Sequence, residues 1–341
     1  MIALVALSLT LAIMVAWILG ANDAANSTAT VVGGGVISLR RALTLFSIFV
    51  FLGATTQGYK VIKTIGRGIV PIEIMSSSAV IAAALAAFLW LLLCTWKGIP
   101  VSTTHTSVGA VLGFGLIAAG VEKINFAVLM KVFISWAFSP LIAMVISLTV
   151  YKLLEHLFSK IPPHKLSTYD SAMRLMLIGV VCFTAYSFGA NDVANAVGIF
   201  DALVERSLGT SFVISTMFLS AIGALGIILG GFTYGHKVIS TIGFRITKLS
   251  PLSAFTAQFS MALTVLLFTT IPHTLFGYGM PISTTHSIVG AVIGVGIAKG
   301  VKSIDRVVVT YILASWALTV PIAATLAIVI YLLFNVIFGV A

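Results

Sequence analysis

The sequence predicts an all-α integral membrane protein made of two inverted structural repeats, with broken helices and re-entrant hairpins. Three observations carry that prediction. The 341 residues are 60% hydrophobic and 8% charged, against about 25% charged in a soluble domain, and mean hydropathy is +1.16. Several apolar runs approach or exceed the ~20 residues that a helix needs to cross the hydrocarbon. The chain also repeats itself. Gly20-Ala21-Asn22-Asp23-Ala24-Ala25-Asn26 returns as Gly189-Ala190-Asn191-Asp192-Val193-Ala194-Asn195, and Ser102-Thr103-Thr104-His105 returns as Ser283-Thr284-Thr285-His286. Lys60 to Gly66 matches Lys237 to Gly243, and Ser135-Trp136 matches Ser315-Trp316. The order holds while the offset drifts from 169 (Asp23 to Asp192) to 181 (Ser102 to Ser283), so one half is a copy of the other.

The elements follow in order. Residues 2–19 form a first helix ending at the first motif. They lack a basic start, so they are expected to be retained rather than cleaved as a signal peptide. The small, Gly-rich stretch Ser27 to Ser38 is expected as a break or re-entrant piece, with Arg40 and Arg41 at a membrane edge. Residues 42–58 span, and Lys60, Lys63 and Arg67 make a basic turn. Residues 75–96 span and close on the interfacial pair Trp96-Lys97. Pro100 opens a short segment to Gly120 that carries Gly109 and Gly113, a spacing for close helix contact. Residues 124–154 form a long helix containing Pro140. The N-terminal repeat is thus 1–154. Residues 155–174 are a short, polar, Pro-containing linker, net positive and therefore expected in the cytoplasm. The C-terminal repeat, 175–341, runs through the same series: a break at 196–206, a span at 207–231, a basic turn at His236-Lys237 and a span at 253–272. A short segment with Gly290 and Gly294 and a long helix over 307–338 complete it. Counting each break and Ser-Thr-Thr segment as one pair leaves an odd number of crossings per half, which inverts the second half relative to the first.

Composition excludes other classes. The net charge of +10 comes from basic residues scattered through short loops, the pattern of membrane flanks rather than of a nucleic-acid surface. Cys94 and Cys182 both sit in apolar runs, so neither a disulfide framework nor a transition-metal site is expected. No nucleophile–base constellation appears, so the chain is not read as an enzyme and no cofactor is expected.

The two motif pairs carry the chemistry. A carboxylate at membrane depth costs at least about 2.5 kcal/mol and is a functional-site candidate by default. On a helix, Asn22, Asp23 and Asn26 share one wedge, as do Asn191, Asp192 and Asn195. Carboxylate and amide oxygens are hard-cation ligands, suited to sodium or a proton. Ser102, Thr103 and Thr104, and Ser283, Thr284 and Thr285, each start a helix after a proline. Free N–H groups and three hydroxyls at such a start bind an anion without a basic side chain. No Lys or Arg lies in any of the four motifs. An anion held there needs its charge offset by helix dipoles and bound cations, and by linkage each ligand raises the affinity for the other. His105 and His286 either donate to the anion or carry protons, or are structural one turn beyond the site. Gln258 either lines the cavity or makes an interhelical hydrogen bond.

The doubled Gly-Ala-Asn-Asp-(Ala/Val)-Ala-Asn and Pro-(Val/Ile)-Ser-Thr-Thr-His motifs resemble the inorganic phosphate transporter (PiT) family over essentially the whole chain. The resemblance implies an inverted-repeat symporter importing inorganic phosphate with sodium, or with protons in some bacterial members. It implies about 12 membrane segments, a multi-pass place in the cell inner (plasma) membrane, and often a homodimer in the lipid bilayer. Sulfate or a metal–phosphate complex are the alternative cargoes. It assigns cation binding to Asn22, Asp23, Asn26, Asn191, Asp192 and Asn195, and phosphate binding to Ser102–Thr104 and Ser283–Thr285. Val50 and Gln258 stand where animal members of the family carry a functional Glu, and the large loop between their halves is reduced here to the short linker.

Overall fold

The computed structural model describes residues 2–33, 35–71, 76–99, 101–162, 166–209, 211–235, 250–300 and 306–338. The features expected at Gly34, Pro100, Pro163 to Lys165 and His236 to Gly243 lie outside these residues. Twelve α-helices and no strand occur among the described residues: α1 (Ile2–Gly33), α2 (Leu39–Gln57), α3 (Tyr59–Arg67), α4 (Ser77–Trp96), α5 (Thr103–Ala119), α6 (Phe126–Phe158), α7 (Leu166–Val197), α8 (Asp201–Leu208), α9 (Phe212–Tyr234), α10 (Pro251–Phe276), α11 (Thr284–Lys299) and α12 (Arg306–Phe338). Eight of them, α1, α2, α4, α6, α7, α9, α10 and α12, are long and apolar enough to cross a membrane. The apolar helices α5 and α11 have 17 and 16 residues. At 1.5 Å per residue they reach about 25 Å, short of the ~30 Å hydrocarbon.

The first motif does not end a helix. α1 runs unbroken from Ile2 to Gly33, through the stretch expected to break after Ser27. The small residues there lie on a covered face. Ala24, Ala25, Ser27, Thr28 and Ala29 are all fully buried, and Thr28 Oγ1 donates back to the Ala24 carbonyl at 2.7 Å. Small side chains on a face that other helices cover give no reason to unwind. The turn comes instead at Gly35, whose φ of +68° suits a residue without Cβ. In the second half the break is real but brief. α7 continues through its motif to Val197, and one 3₁₀ turn, Gly198–Phe200, separates it from α8. The linker is shorter than 155–174, because α6 extends to Phe158 and α7 starts at Leu166.

The halves interlock. The four most extensive helix–helix interfaces all join one half to the other: α1 with α9, α2 with α7, α6 with α11, and α5 with α12. The GxxxG spacings make two of these contacts. A Cβ at Gly290 would fall 2.2 Å from the Pro140 carbonyl oxygen of α6, and one at Gly113 would fall 2.3 Å from the Ala324 carbonyl oxygen of α12. Glycine lets the backbones approach this closely. Each short Ser-Thr-Thr helix is therefore clamped by the long C-terminal helix of the opposite half.

Candidate functional site

Both Asn-Asp motifs sit in mid-helix, on α1 and α7, and face the starts of α5 and α11. Asn22, Asp23, Asn26, Asn191, Asp192, Asn195 and the six Ser and Thr residues are each at most 2% exposed. Their side chains close a ring. Thr103 Oγ1 donates to Asp23 Oδ2 at 2.8 Å. Asn195 Nδ2 donates to Thr103 Oγ1 at 3.5 Å and to Asp192 Oδ1 at 3.0 Å. Thr284 Oγ1 donates to Asp192 Oδ1 at 3.3 Å. Asn26 Nδ2 donates to Thr284 Oγ1 at 3.3 Å and to Asp23 Oδ1 at 3.4 Å, which completes the circuit. Three members come from each half. The second threonines cross over: Thr104 Oγ1 accepts from Asn195 at 3.0 Å, and Thr285 Oγ1 accepts from Asn26 at 3.2 Å.

The first Asn of each motif does something else. Asn22 Nδ2 donates to Thr95 Oγ1 at 2.9 Å and the Ile99 carbonyl at 3.4 Å. Asn191 Nδ2 donates to Thr269 Oγ1 at 3.1 Å and the Met280 carbonyl at 3.2 Å. Each amide thus anchors the loop that leads into its own Ser-Thr-Thr helix. The wedge expected from spacing is about 100° wide between adjacent residues, enough to address two neighbours. Ser102 and Ser283 cap those helices, their Oγ atoms accepting from the N–H of His105 and His286, each at 3.1 Å.

Five ligand-type oxygens in the motifs are buried without a hydrogen-bond partner: Asn22 Oδ1, Asn26 Oδ1, Asn191 Oδ1, Asn195 Oδ1 and Asp192 Oδ2. Such an atom costs roughly 1–3 kcal/mol when left unsatisfied. Carbonyl and carboxylate oxygens in this number are the donor set of a hard cation. Among the described residues, no lysine or arginine donates a hydrogen bond to the ring.

The two histidines meet. Their rings pack edge to face with centroids 4.4 Å apart. Outside them, His105 lies 3.8 Å from Trp136 and His286 lies 3.5 Å from Trp316. His105 Nδ1 lies 3.3 Å from the Trp316 carbonyl, and His286 Nδ1 lies 3.4 Å from the Trp136 carbonyl. A carbonyl only accepts, so Nδ1 carries the proton in both rings. Both Nε2 atoms are buried and unpartnered. Trp136 Nε1 donates to the Pro281 carbonyl at 3.0 Å, tying this stack to the start of α11. Gln258 Nε2 donates to the Ser27 carbonyl at 2.9 Å, an interhelical bond one residue beyond Asn26.

Sequence reasoning missed a partly buried ion cluster. Arg67 Nε donates to Asp201 Oδ2 at 2.6 Å, and its other arm pairs with Glu205. Ser215 Oγ also donates to Asp201, at 3.2 Å, and the Arg67 guanidinium lies 4.4 Å above the Phe212 ring. The signal was present: Asp201 is one of only nine acids in the chain. Thr95 and Thr269 were also missed, although each is a hydroxyl in an apolar span of its half, 7 residues before Ser102 and 14 before Ser283 respectively. Ser107 Oγ donates to the Asn195 carbonyl at 2.7 Å and backs the opposite motif.

A multi-pass helical protein with a sealed polar ring shared by two interlocked halves has the architecture of a membrane transporter. The chain belongs to the phosphate transporter family, whose profile matches residues 19–327. A protein of Pyrococcus abyssi named as a phosphate permease is 33% identical, covering 95% of this chain and 96% of its own. Inorganic phosphate transporter 2-1, chloroplastic, of Arabidopsis thaliana is 30% identical over 92% of this chain and 69% of its own. A solved structure described as the sodium-dependent phosphate transporter superposes with a TM-score of 0.87 at 32% identity, covering 98% of this chain and 100% of that one.

Proposed function

We propose that the chain is a sodium-coupled phosphate symporter whose central site is the ring joining its two halves. Asp23, Asp192 and the Asn oxygens hold the cations, and the threonine hydroxyls and helix starts of α5 and α11 hold phosphate. The closed ring is the observation that carries this reading. Each carboxylate accepts from hydroxyls that themselves belong to an anion-type helix start, so cation and anion share ligands. Sodium is favoured by the hard-oxygen donor set and by the sodium dependence in the description of the structural neighbour. The halves, 1–154 and 175–341, are inverted copies, and rocking of one against the other opens the midplane site alternately. The energetics require a cation. Moving a dianion inward against −100 mV costs about 4.6 kcal/mol, at roughly 2.3 per charge, and two sodium ions cancel it.

Asp23→Asn and Asp192→Asn each preserve shape and remove a charge. In proteoliposomes with an imposed sodium gradient at fixed pH, both variants are expected to lose most phosphate uptake while keeping wild-type thermal stability in detergent. Wild-type uptake by both would sink the site assignment. Uptake driven by a pH gradient without sodium would replace sodium by protons in the scheme.

A further inference from the structure

We propose that Lys60, Lys63 and Lys131 form an oxyanion-collecting vestibule around the loop that feeds α11, through which free phosphate reaches the ring. The proposal rests on the reading of phosphate as cargo. The loop, residues 277–280, lies between the end of α10 and Pro281 and so leads directly into Ser283-Thr284-Thr285. The short helix α3 is bonded to it. Gly279 N donates to the Lys60 carbonyl at 2.8 Å, and Thr64 Oγ1 donates to the Gly279 carbonyl at 2.6 Å.

Two ammonium groups reach this loop, and a third, that of Lys60, sits on the helix bonded to it. Lys63 Nζ donates to the Gly277 carbonyl at 3.3 Å. Lys131 Nζ donates to the Tyr278 hydroxyl at 2.9 Å and lies over the Phe276 and Tyr278 rings. Lys60 Nζ donates to Gln57 Oε1 at 2.9 Å, and Gln57 is itself held by Tyr186. The imidazole of His273 lies within electrostatic reach of Lys60 and Lys63, packs against Tyr59 with centroids 5.5 Å apart, and keeps a buried, unpartnered Nδ1. Every bond these lysines make is to a neutral group. The ion pairs among the described residues belong to Arg67, further along α3. Lysines that only anchor a helix in the headgroup layer extend outward along the membrane edge. The Lys63 and Lys131 ammonium groups instead bond to the loop ahead of a helix start that carries no cation of its own. A mouth lined by uncompensated positive charge concentrates anions and raises their rate of capture.

The chemistry recognised is a phosphate oxyanion, which free phosphate and an anionic lipid headgroup both present. The test uses the full chain in phosphatidylcholine vesicles and follows equilibrium exchange of radiolabelled phosphate at saturating sodium, which samples both faces whatever the orientation. The triple variant Lys60→Gln, Lys63→Gln, Lys131→Gln is expected to raise KM about tenfold at low ionic strength with maximal exchange unchanged. The gap should close to within about twofold at 1 M choline chloride, where charges are screened beyond ~3 Å. The corresponding triple Lys→Arg variant should restore wild-type KM. A KM within twofold of wild type at low ionic strength, or a rise that salt does not abolish, overturns the proposal. So does a defect that appears only when phosphatidylglycerol is present, which would make the lysines a lipid site. A wild type unable to exchange phosphate sinks the functional reading together with this one. A wild type that exchanges phosphate beside an unaltered triple variant sinks this one alone.

Discussion

Thr103→Val removes one hydroxyl at almost constant volume, and the ring states what that should cost. The hydroxyl donates to Asp23 Oδ2 at 2.8 Å, the shortest of the six ring bonds, and accepts from Asn195 at 3.5 Å. A hydrogen bond to a charged group contributes about 1.5–3 kcal/mol, and the long neutral one adds little. At 1.4 kcal/mol per factor of ten, the half-saturating phosphate concentration should rise roughly 10- to 150-fold. Thr284→Val is the internal comparison. Its hydroxyl reaches Asp192 at 3.3 Å, a weaker geometry, so its effect should be smaller, about tenfold or less. Thr103→Ser, which keeps the hydroxyl, should recover most of the loss. The assay is initial-rate phosphate uptake into proteoliposomes across a matrix of phosphate and sodium concentrations. Half-saturation within twofold of wild type for both ligands, or a larger effect from Thr284 than from Thr103, would refute the reasoning.

Two further predictions concern stability. A Cβ at Gly230 would lie 1.8 Å from the Trp17 carbonyl oxygen, so Gly230→Ala must force α9 off α1; it should lower thermal stability in detergent by at least about 1–3 kcal/mol, whereas Gly179→Ala, with nothing within 4 Å of its added methyl, should be neutral or mildly stabilising. Asp201→Asn leaves the partly buried Arg67 with Glu205 alone and should cost about 3 kcal/mol, the low end for breaking a buried pair because Arg67 keeps 22% of its side chain in contact with solvent; equal melting of variant and wild type would show that the cluster is not structural.

The sequence disclosed the parts of the site better than their pairing. Asp23 and Asp192 stood out because a carboxylate in an apolar run is expensive, and the doubled Ser-Thr-Thr starts stood out because they recur. What could not be read was that α5 lies on α12 and α11 on α6, so that Asn26 meets Thr285 and Asn195 meets Thr104. Both halves carry the same motifs, and a repeat cannot say which copy faces which. The break expected after Ser27 failed for a related reason. Small polar residues and glycine look like loop in isolation, but on α1 they are the surface against which other helices close, and that cover exists only in three dimensions. Arg67 was read only as part of a basic turn, because its partners Asp201 and Glu205 lie 134 and 138 residues away.

The stack of Trp136, His105, His286 and Trp316 has an optical consequence. Both indoles lie against imidazoles within 4 Å, centroid to centroid, and each belongs to the long helix of a different half. The chain contains five tryptophans; the other three are Trp17, Trp90 and Trp96, and Trp90 Nε1 donates to Thr319 Oγ1 on α12 at 3.4 Å. With those three replaced by phenylalanine, the protein's tryptophan emission, excited where its eight tyrosines do not absorb, would come from the seam between its halves alone. Any motion that parts α5 from α11 would change the contact of each indole with its imidazole and so its emission. The seam is, in effect, a built-in spectroscopic gauge of whether the two halves are together or apart.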